Sequence, residues 1–172
     1  MKYLINKITR KILKLQDAES LIDDSLFEIA TVDVIDDYEL KESKANKLKL
    51  LDDYQKNNPE VRELTINNYF KFSLSAEGRS MISEQILQLQ NKIELGSITE
   101  EDAFFEYFYV GGSIQVSFLQ LKQIYTKMID IINTNYGVYK DHTFNISNLT
   151  SVESIKSYNF KNNYLKNQNI NF

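Results

Sequence analysis

At 172 residues the chain has room for one domain, or for a small core with appendages, since domains commonly run to about 100–150 residues. A hydrophobic content of 42% with 12% aromatics, all Tyr and Phe, is enough for a packed core and too much for a disordered chain. The net charge of -4 argues against a general nucleic-acid binder, which needs a basic face to displace counterions, and the absence of Cys excludes disulfides, thiolate nucleophiles and Cys-based zinc sites.

Charge is unevenly placed along the chain. Lys2, Lys7, Arg10, Lys11 and Lys14 precede the first acid, and residues 17–42 are then dominated by acids, with Lys41 as the only cation. The stretch YLINKITRKILKL reads in two ways. As a helix it puts Leu4, Ile8, Ile12 and Leu15 on one face, a basic amphipathic segment suited to a membrane or a partner. As a hairpin it pairs residues 3–5 with 11–15 across a turn at 6–10, with a third strand over 26–34. Its Ile and Thr content leans toward strands and leaves the helix open.

Residues 36–58 predict a surface helix capped by Asp36, with Glu39 at capping-box spacing, and stopped by Asn57-Asn58-Pro59. Its apolar stripe, Ala45, Leu48 and Leu51, is too thin to bury much, so the helix is expected to link two structured parts or to pack on another subunit. VRELTINNYFKFSLS then alternates as two strands around a turn at Asn67-Asn68. Ser75 caps the next helix, where Ile82, Ile86, Leu89 and Ile93 share a face until Gly96 ends it. Thr99 and Asp102 have the spacing of a single capped turn over 98–104.

In FEYFYVGGSIQVSF two runs of period two flank Gly111-Gly112, the pattern of a hairpin bend. A phosphate-cradling loop would need G-x-G-x-x-G or a following Gly-Lys-Ser/Thr, and neither is there. From Phe118 the period becomes 3.6: Phe118, Leu121, Tyr125, Met128 and Ile132 fall on one face, which continues through Tyr136, Tyr139, His142, Ile146 and Leu149. With Gly137 tolerated this is one helix of about 32 residues and about 48 Å, longer than one small core covers. Its distal half therefore needs the N-terminal part of the chain or a neighbouring copy, and Ile132, Tyr136, Tyr139, His142, Ile146 and Leu149 are the predicted interface of a homo-oligomer. Thr150 and Glu153 open a short helix through Tyr158, and FKNNYLKNQNINF reads as an extended tail ordered by contact.

Residues of the types that carry chemistry elsewhere have simpler uses. His142 directly follows Asp141, and helix neighbours point about 100° apart, so the two do not form a dyad; packing or capping is expected. Asp23-Asp24, Asp36-Asp37 and Asp52-Asp53 lack the alternating spacing of a calcium loop. Tyr107, Phe108 and Tyr109 could stack on bases or sugars but have core and cross-strand spacing, and Arg79 near a helix start is an anion site of low specificity. No catalytic, cofactor or metal residue is assigned, and neither nucleic acid nor membrane is expected as a partner. No apolar run is long enough to span a bilayer, and Lys and Arg interrupt the N-terminus where a signal peptide is apolar, so synthesis as a soluble cytoplasmic protein is expected. The sequons Asn145-Ile146-Ser147 and Asn148-Leu149-Thr150 are then coincidental.

The order of elements resembles a domain of unknown function that recurs in bacteriophage proteins, often beside tail or tail-fibre genes. The matching stretches are Tyr69-Phe70-Lys71-Phe72 with Ser75-Ala76-Glu77-Gly78-Arg79-Ser80, then Ile114-Gln115-Val116-Ser117-Phe118 leading into a helix, the helical His142, and Leu149-Thr150-Ser151-Val152-Glu153-Ser154-Ile155. They span residues 64–160. Positions commonly Trp or Ala in such domains are here Tyr, Phe, Ile or Asn. The resemblance implies a non-enzymatic virion component at the tail, baseplate or fibre, made in the bacterial host and in contact with other phage structural proteins; a tail-fibre assembly chaperone not retained in the particle is the alternative. The expected fold class is α+β: an N-terminal β-rich attachment region over 1–35, a linking helix over 36–58, an α+β domain of small hairpins and amphipathic helices over 59–160, with one long C-terminal helix, and an extended tail over 161–172.

Overall fold

Hydrophobic period decides most of the architecture, which in the computed structural model is described for residues 2–15, 25–109 and 112–172. The fold is α+β, with small sheets, five helices among the described residues and one long helix toward the C-terminus. The chain divides into two units, Met1–Leu50 with Phe144–Asn159, and Leu51–Thr143 with Phe160–Phe172. The division differs from the sequence-based segments, because it passes through two helices and joins the C-terminal residues to the second unit.

In the first unit, β1 (Lys2–Asn6), β2 (Ile12–Leu15) and β3 (Phe27–Ile29) form an antiparallel sheet in the order β2-β1-β3. The ambiguous N-terminal segment is thus a hairpin. Asn6 organises its turn, its Oδ1 accepting from the backbone N–H of Ile8 at 3.0 Å and of Thr9 at 2.8 Å, while Arg10 takes a positive φ of 56°. Tyr3 and Ile5, on one face of β1, pack with Ala30 against Ile12, Val34, Ile35 and Tyr38, and Leu4 on the other face is buried as well. Asp23-Asp24 lies outside the described residues.

The third strand is shorter than expected, because α1 (Val32–Asn57) begins a turn earlier than an Asp36 cap would place it. Val34 and Ile35 gain burial against β1 only if they are already helical, and Ile35 N–H donates to Thr31 O at 3.0 Å. Asp36 and Glu39 are therefore helix-interior residues, and Glu39 accepts from the Tyr3 hydroxyl. Of the thin stripe, Leu51 is fully buried and Ala45 is exposed. The short helix α5 (Val152–Ser157) is capped by Ser151 rather than Thr150, with the Ser151 hydroxyl accepting from Ser154 N–H at 3.1 Å. Lys44 Nζ donates to Ser147 O at 2.7 Å and Lys47 Nζ to Lys156 O at 3.1 Å, which places ammonium groups on carbonyls in the last turns of two helices.

The second unit is built around an apolar core of Leu64, Ile66, Phe72, Leu74, Ile82, Leu121, Ile124, Met128 and their neighbours. Asn58 caps α2 (Pro59–Arg62), where Pro59 at the first turn forfeits no hydrogen bond. β4 (Glu63–Ile66) and β5 (Phe70–Ser73) follow as a hairpin. Asn67 and Asn68 have φ values of 52° and 60°, and Tyr69 N–H donates to Ile66 O at 3.0 Å, which makes a type I′ turn. α3 (Ala76–Glu94) is capped by Ser75 and ends on Gly96 at φ 67°, with Gly96 N–H bonded to Ile93 O and Ser97 N–H to Lys92 O, a Schellman closure.

β6 (Phe104–Tyr109) and β7 (Gly112–Ser117) form the aromatic hairpin. Tyr109 pairs with Gly112, so Gly112 is a strand residue rather than part of the expected Gly111-Gly112 bend; Gly111 itself lies outside the described residues. α4 (Phe118–Asn148) follows directly as a helix of 31 residues. The C-terminal segment is not a loose tail: β8 (Gln168–Ile170) pairs in parallel with β4, aligning Leu64 with Gln168, Thr65 with Asn169 and Ile66 with Ile170, in a sheet of order β5-β4-β8.

Two helical glycines separate cleanly. A Cβ on Gly78 would lie 2.2 Å from the Ser73 carbonyl oxygen, whereas one on Gly137 would meet nothing within 4 Å. Gly78→Ala should cost about 1–3 kcal/mol by forcing the α3 start away from β5, and Gly137→Ala should gain about 0.5–1 kcal/mol from helix propensity. Urea denaturation of the two variants checks both signs; equal shifts would contradict the close approach at Gly78.

Candidate functional site

The predicted interface stripe on α4 divides when its residues are placed. Ile132 is half-buried against the second unit's core, Tyr136 is 53% exposed, and Tyr139 is half-buried. His142 and Ile146 are buried by the chain itself, at 5% and 0% exposure, and Leu149 is half-buried. A seam running from Ile132 to Leu149 is therefore not presented to a second copy as a whole. Covered side chains at His142 and Ile146 have already found their apolar surroundings within one chain.

Tyr136 is the outward member of the set. Its ring stacks on Tyr139 with centroids 6.1 Å apart and planes 20° from parallel, and Lys140 Nζ sits 5.1 Å from its centroid. The Tyr136 hydroxyl hydrogen-bonds the Lys140 ammonium and holds its pKa above the ordinary lysine value. The pair presents an aromatic face with a fixed positive charge beside it.

The buried polar side chains of α4 serve a different purpose. Asn135 Oδ1 accepts from Leu165 N–H at 2.8 Å, and its Nδ2 donates to Leu165 O at 3.1 Å and to Val61 O at 3.3 Å. Both sides of the amide are satisfied, as a group only 1% exposed requires. Two turns further on, His142 Nε2 lies 3.0 Å from Asn162 O, an acceptor that places the ring proton on Nε2, and the ring stacks on Tyr164 at 5.7 Å. His142 is thus a packing residue that holds the returning chain. Asn135 carries only a weak signal in the sequence, a lone amide on the apolar stripe, seven residues after Met128 and seven before His142.

The remaining candidates are engaged structurally. Asp37 pairs with Lys41 at 2.6 Å and Asp52 with Lys56 at 2.7 Å, the latter raising the Lys56 pKa. Arg79 Nη1 donates to Leu74 O at 3.2 Å. Burial first, and then the Arg79 charge, lowers the Arg62 pKa. Tyr107 packs on Phe72 with centroids 4.4 Å apart, and its hydroxyl donates to Lys71 O at 3.4 Å, whereas Phe108 is 72% exposed and Tyr109 pairs with Gly112. In the first unit a cleft of about 560 Å³ is lined by Asp36, Asp37, Glu39, Ser151, Glu153 and Lys156 among others. Among the described residues no three His, Asp or Glu side chains are grouped to hold a metal ion, and no helix is long and apolar enough to cross a membrane. The sequon residues Asn145 and Asn148 lie in α4, their amides donating to Tyr158 Oη at 3.2 Å and to Phe144 O at 3.0 Å.

No family model, curated protein or solved structure matches the chain.

The roles assigned to neighbouring α4 residues predict opposite sensitivities. Asn135→Ala should cost about 2–4 kcal/mol, because it strands both backbone groups of Leu165 away from water. Tyr136→Ala should stay within about 0.5 kcal/mol of the parent, as an exposed position does. Chemical denaturation monitored by circular dichroism measures both; comparable losses would refute the division into clamp and outward face.

Proposed function

We propose that the protein is a non-enzymatic structural component of a bacteriophage virion, seated at the tail, baseplate or fibre and acting through contacts with other phage structural proteins and with copies of itself. The resemblance over residues 64–160 supports the phage setting. The observation that carries the mode of action is the outward aromatic residues on regular elements: Tyr136 with its stacked Tyr139 on α4, and Phe104 and Phe108 on β6. Rings held by rigid elements lose little entropy when a partner covers them, which makes them efficient contact residues. The polar residues that chemistry would recruit, His142 and Asn135, are instead spent on the chain's own backbone. Several copies in one particle would multiply a weak contact at each such face.

Quantitative mass spectrometry of purified particles tests the reading. The protein should be found in fixed stoichiometry with the tail or fibre components. Abundance in infected-cell extracts with absence from particles would overturn it in favour of a tail-fibre assembly chaperone.

A further inference from the structure

We propose that the open edge of β6 is a strand-addition site for an extended segment of another protein in which a lysine or arginine lies between two apolar residues at alternate positions. Phe104, Glu106 and Phe108 share one face of the β6–β7 hairpin and are all exposed, while Phe105, Tyr107 and Ile114 on the other face pack on the second unit's core. Phe118 N–H donates to Ala103 O at 2.9 Å, which fixes the alternation of the ladder. The backbone groups of Phe105 and Tyr107 turn to β7, and those of Phe104, Glu106 and Phe108 turn away from it. Among the described residues β6 pairs with no strand but β7. The same three residues therefore offer a further strand both main-chain donors and acceptors and an exposed row of side chains.

The two edges of the hairpin are not equivalent. On β7 the outward Ser117 N–H is already taken by Gln120 Oε1 at 2.9 Å, and the chain turns into α4 at the next residue. β6 has neither the Lys nor the Pro that commonly guards an edge; every residue in it but Glu106 is aromatic. That one charge selects the occupant. Ser113 Oγ donates to Glu106 Oε1 at 2.6 Å, which holds the carboxylate on the exposed face between the two rings. A residue added opposite Glu106 projects on this same face, with Phe104 and Phe108 as its diagonal neighbours. A basic side chain there meets the carboxylate and two aromatic rings at once, and apolar residues two places to either side fall opposite the rings. A second copy of β6 does not fit this edge. The antiparallel register that covers both rings sets Glu106 against Glu106 of the copy, and like charges directly opposed are destabilising. The chain's net charge of -4 favours a basic partner in the same sense.

Two blocked peptides, Thr-Val-Thr-Lys-Thr-Val-Thr and its counterpart with Glu in place of Lys, titrated into the full-length chain at low ionic strength and followed by amide NMR shifts, test the site. The Lys peptide should bind several-fold tighter than the Glu peptide and should move the amides of Phe104, Glu106 and Phe108 more than those of Phe105 and Tyr107, which are bonded to β7. Glu106→Lys should reverse the preference, and Glu106→Gln should level it. No binding, equal binding of the two peptides to the parent chain, or shifts centred elsewhere overturns the proposal. Unchanged binding of a Lys peptide methylated on the backbone nitrogens that face β6 overturns it too, since strand addition needs those donors. Self-association of the chain alone that Phe108→Ser abolishes would assign the edge to a second copy and likewise overturn it. The proposal rests on the reading of Phe104 and Phe108 as contact residues, and the two fail separately: peptide binding reports on the β6 edge, and particle composition reports on the virion setting.

Discussion

A single buried amide organises the second unit. Asn135 sits on the core-facing side of α4, where an unpartnered amide would cost several kcal/mol, and both its ends are satisfied by Leu165 N–H and C=O held alongside the helix. With Leu165 held there, Tyr164 is directed onto Tyr54 and His142, and the following residues reach β4 as a parallel strand. Val61 O completes the set, so the same side chain also ties the helix to the entry of the β4–β5 hairpin. Helix, returning segment and sheet edge are thus linked by one residue that uses both its donor hydrogens and its acceptor oxygen.

The length of α4 is the second constraint. Its proximal half is committed to the core through Leu121, Ile124, Met128 and Ile131, none of them measurably exposed beyond 1%. Beyond Ile132 the helix continues without an equivalent core around every residue, and the chain handles each turn separately. Asn135 and His142 take polar partners from the returning segment, Ile146 is buried within the first unit, and Tyr136 stays outside with Lys140 against its ring. Gly137 opens no cavity and meets no neighbour, so its presence weakens the helix locally without any packing return in the single chain.

The cleft in the first unit is acidic, and of its carboxylates Asp37 is paired with Lys41 and Glu39 accepts from Tyr3. Among the exposed hydrophobic side chains are three aromatic rings, Tyr136, Phe104 and Phe108, on elements whose backbones are already fixed by helix or strand bonding.

Local rules accounted for much of this fold. Period 3.6 marked α3 and α4, Ser75 and Gly96 marked the ends of α3, and Asn67-Asn68 marked a turn that needs two positive φ values. Each of these depends on neighbours within a few residues, which is why sequence alone determined them. The start of α1 was misplaced, because burial of Val34 and Ile35 against β1 outweighed the capping preference of Asp36, and that burial is a contact made across the fold. The meaning of the α4 stripe was likewise not legible: Ile146 and Tyr136 look alike in a periodic pattern, and only the elements that fold over one and not the other separate core from surface. The Asn-rich C-terminus carried least local signal of all. Its strand exists because β4 had an edge to fill and Asn135 had an amide to satisfy, demands that arise only once the rest of the chain is in place.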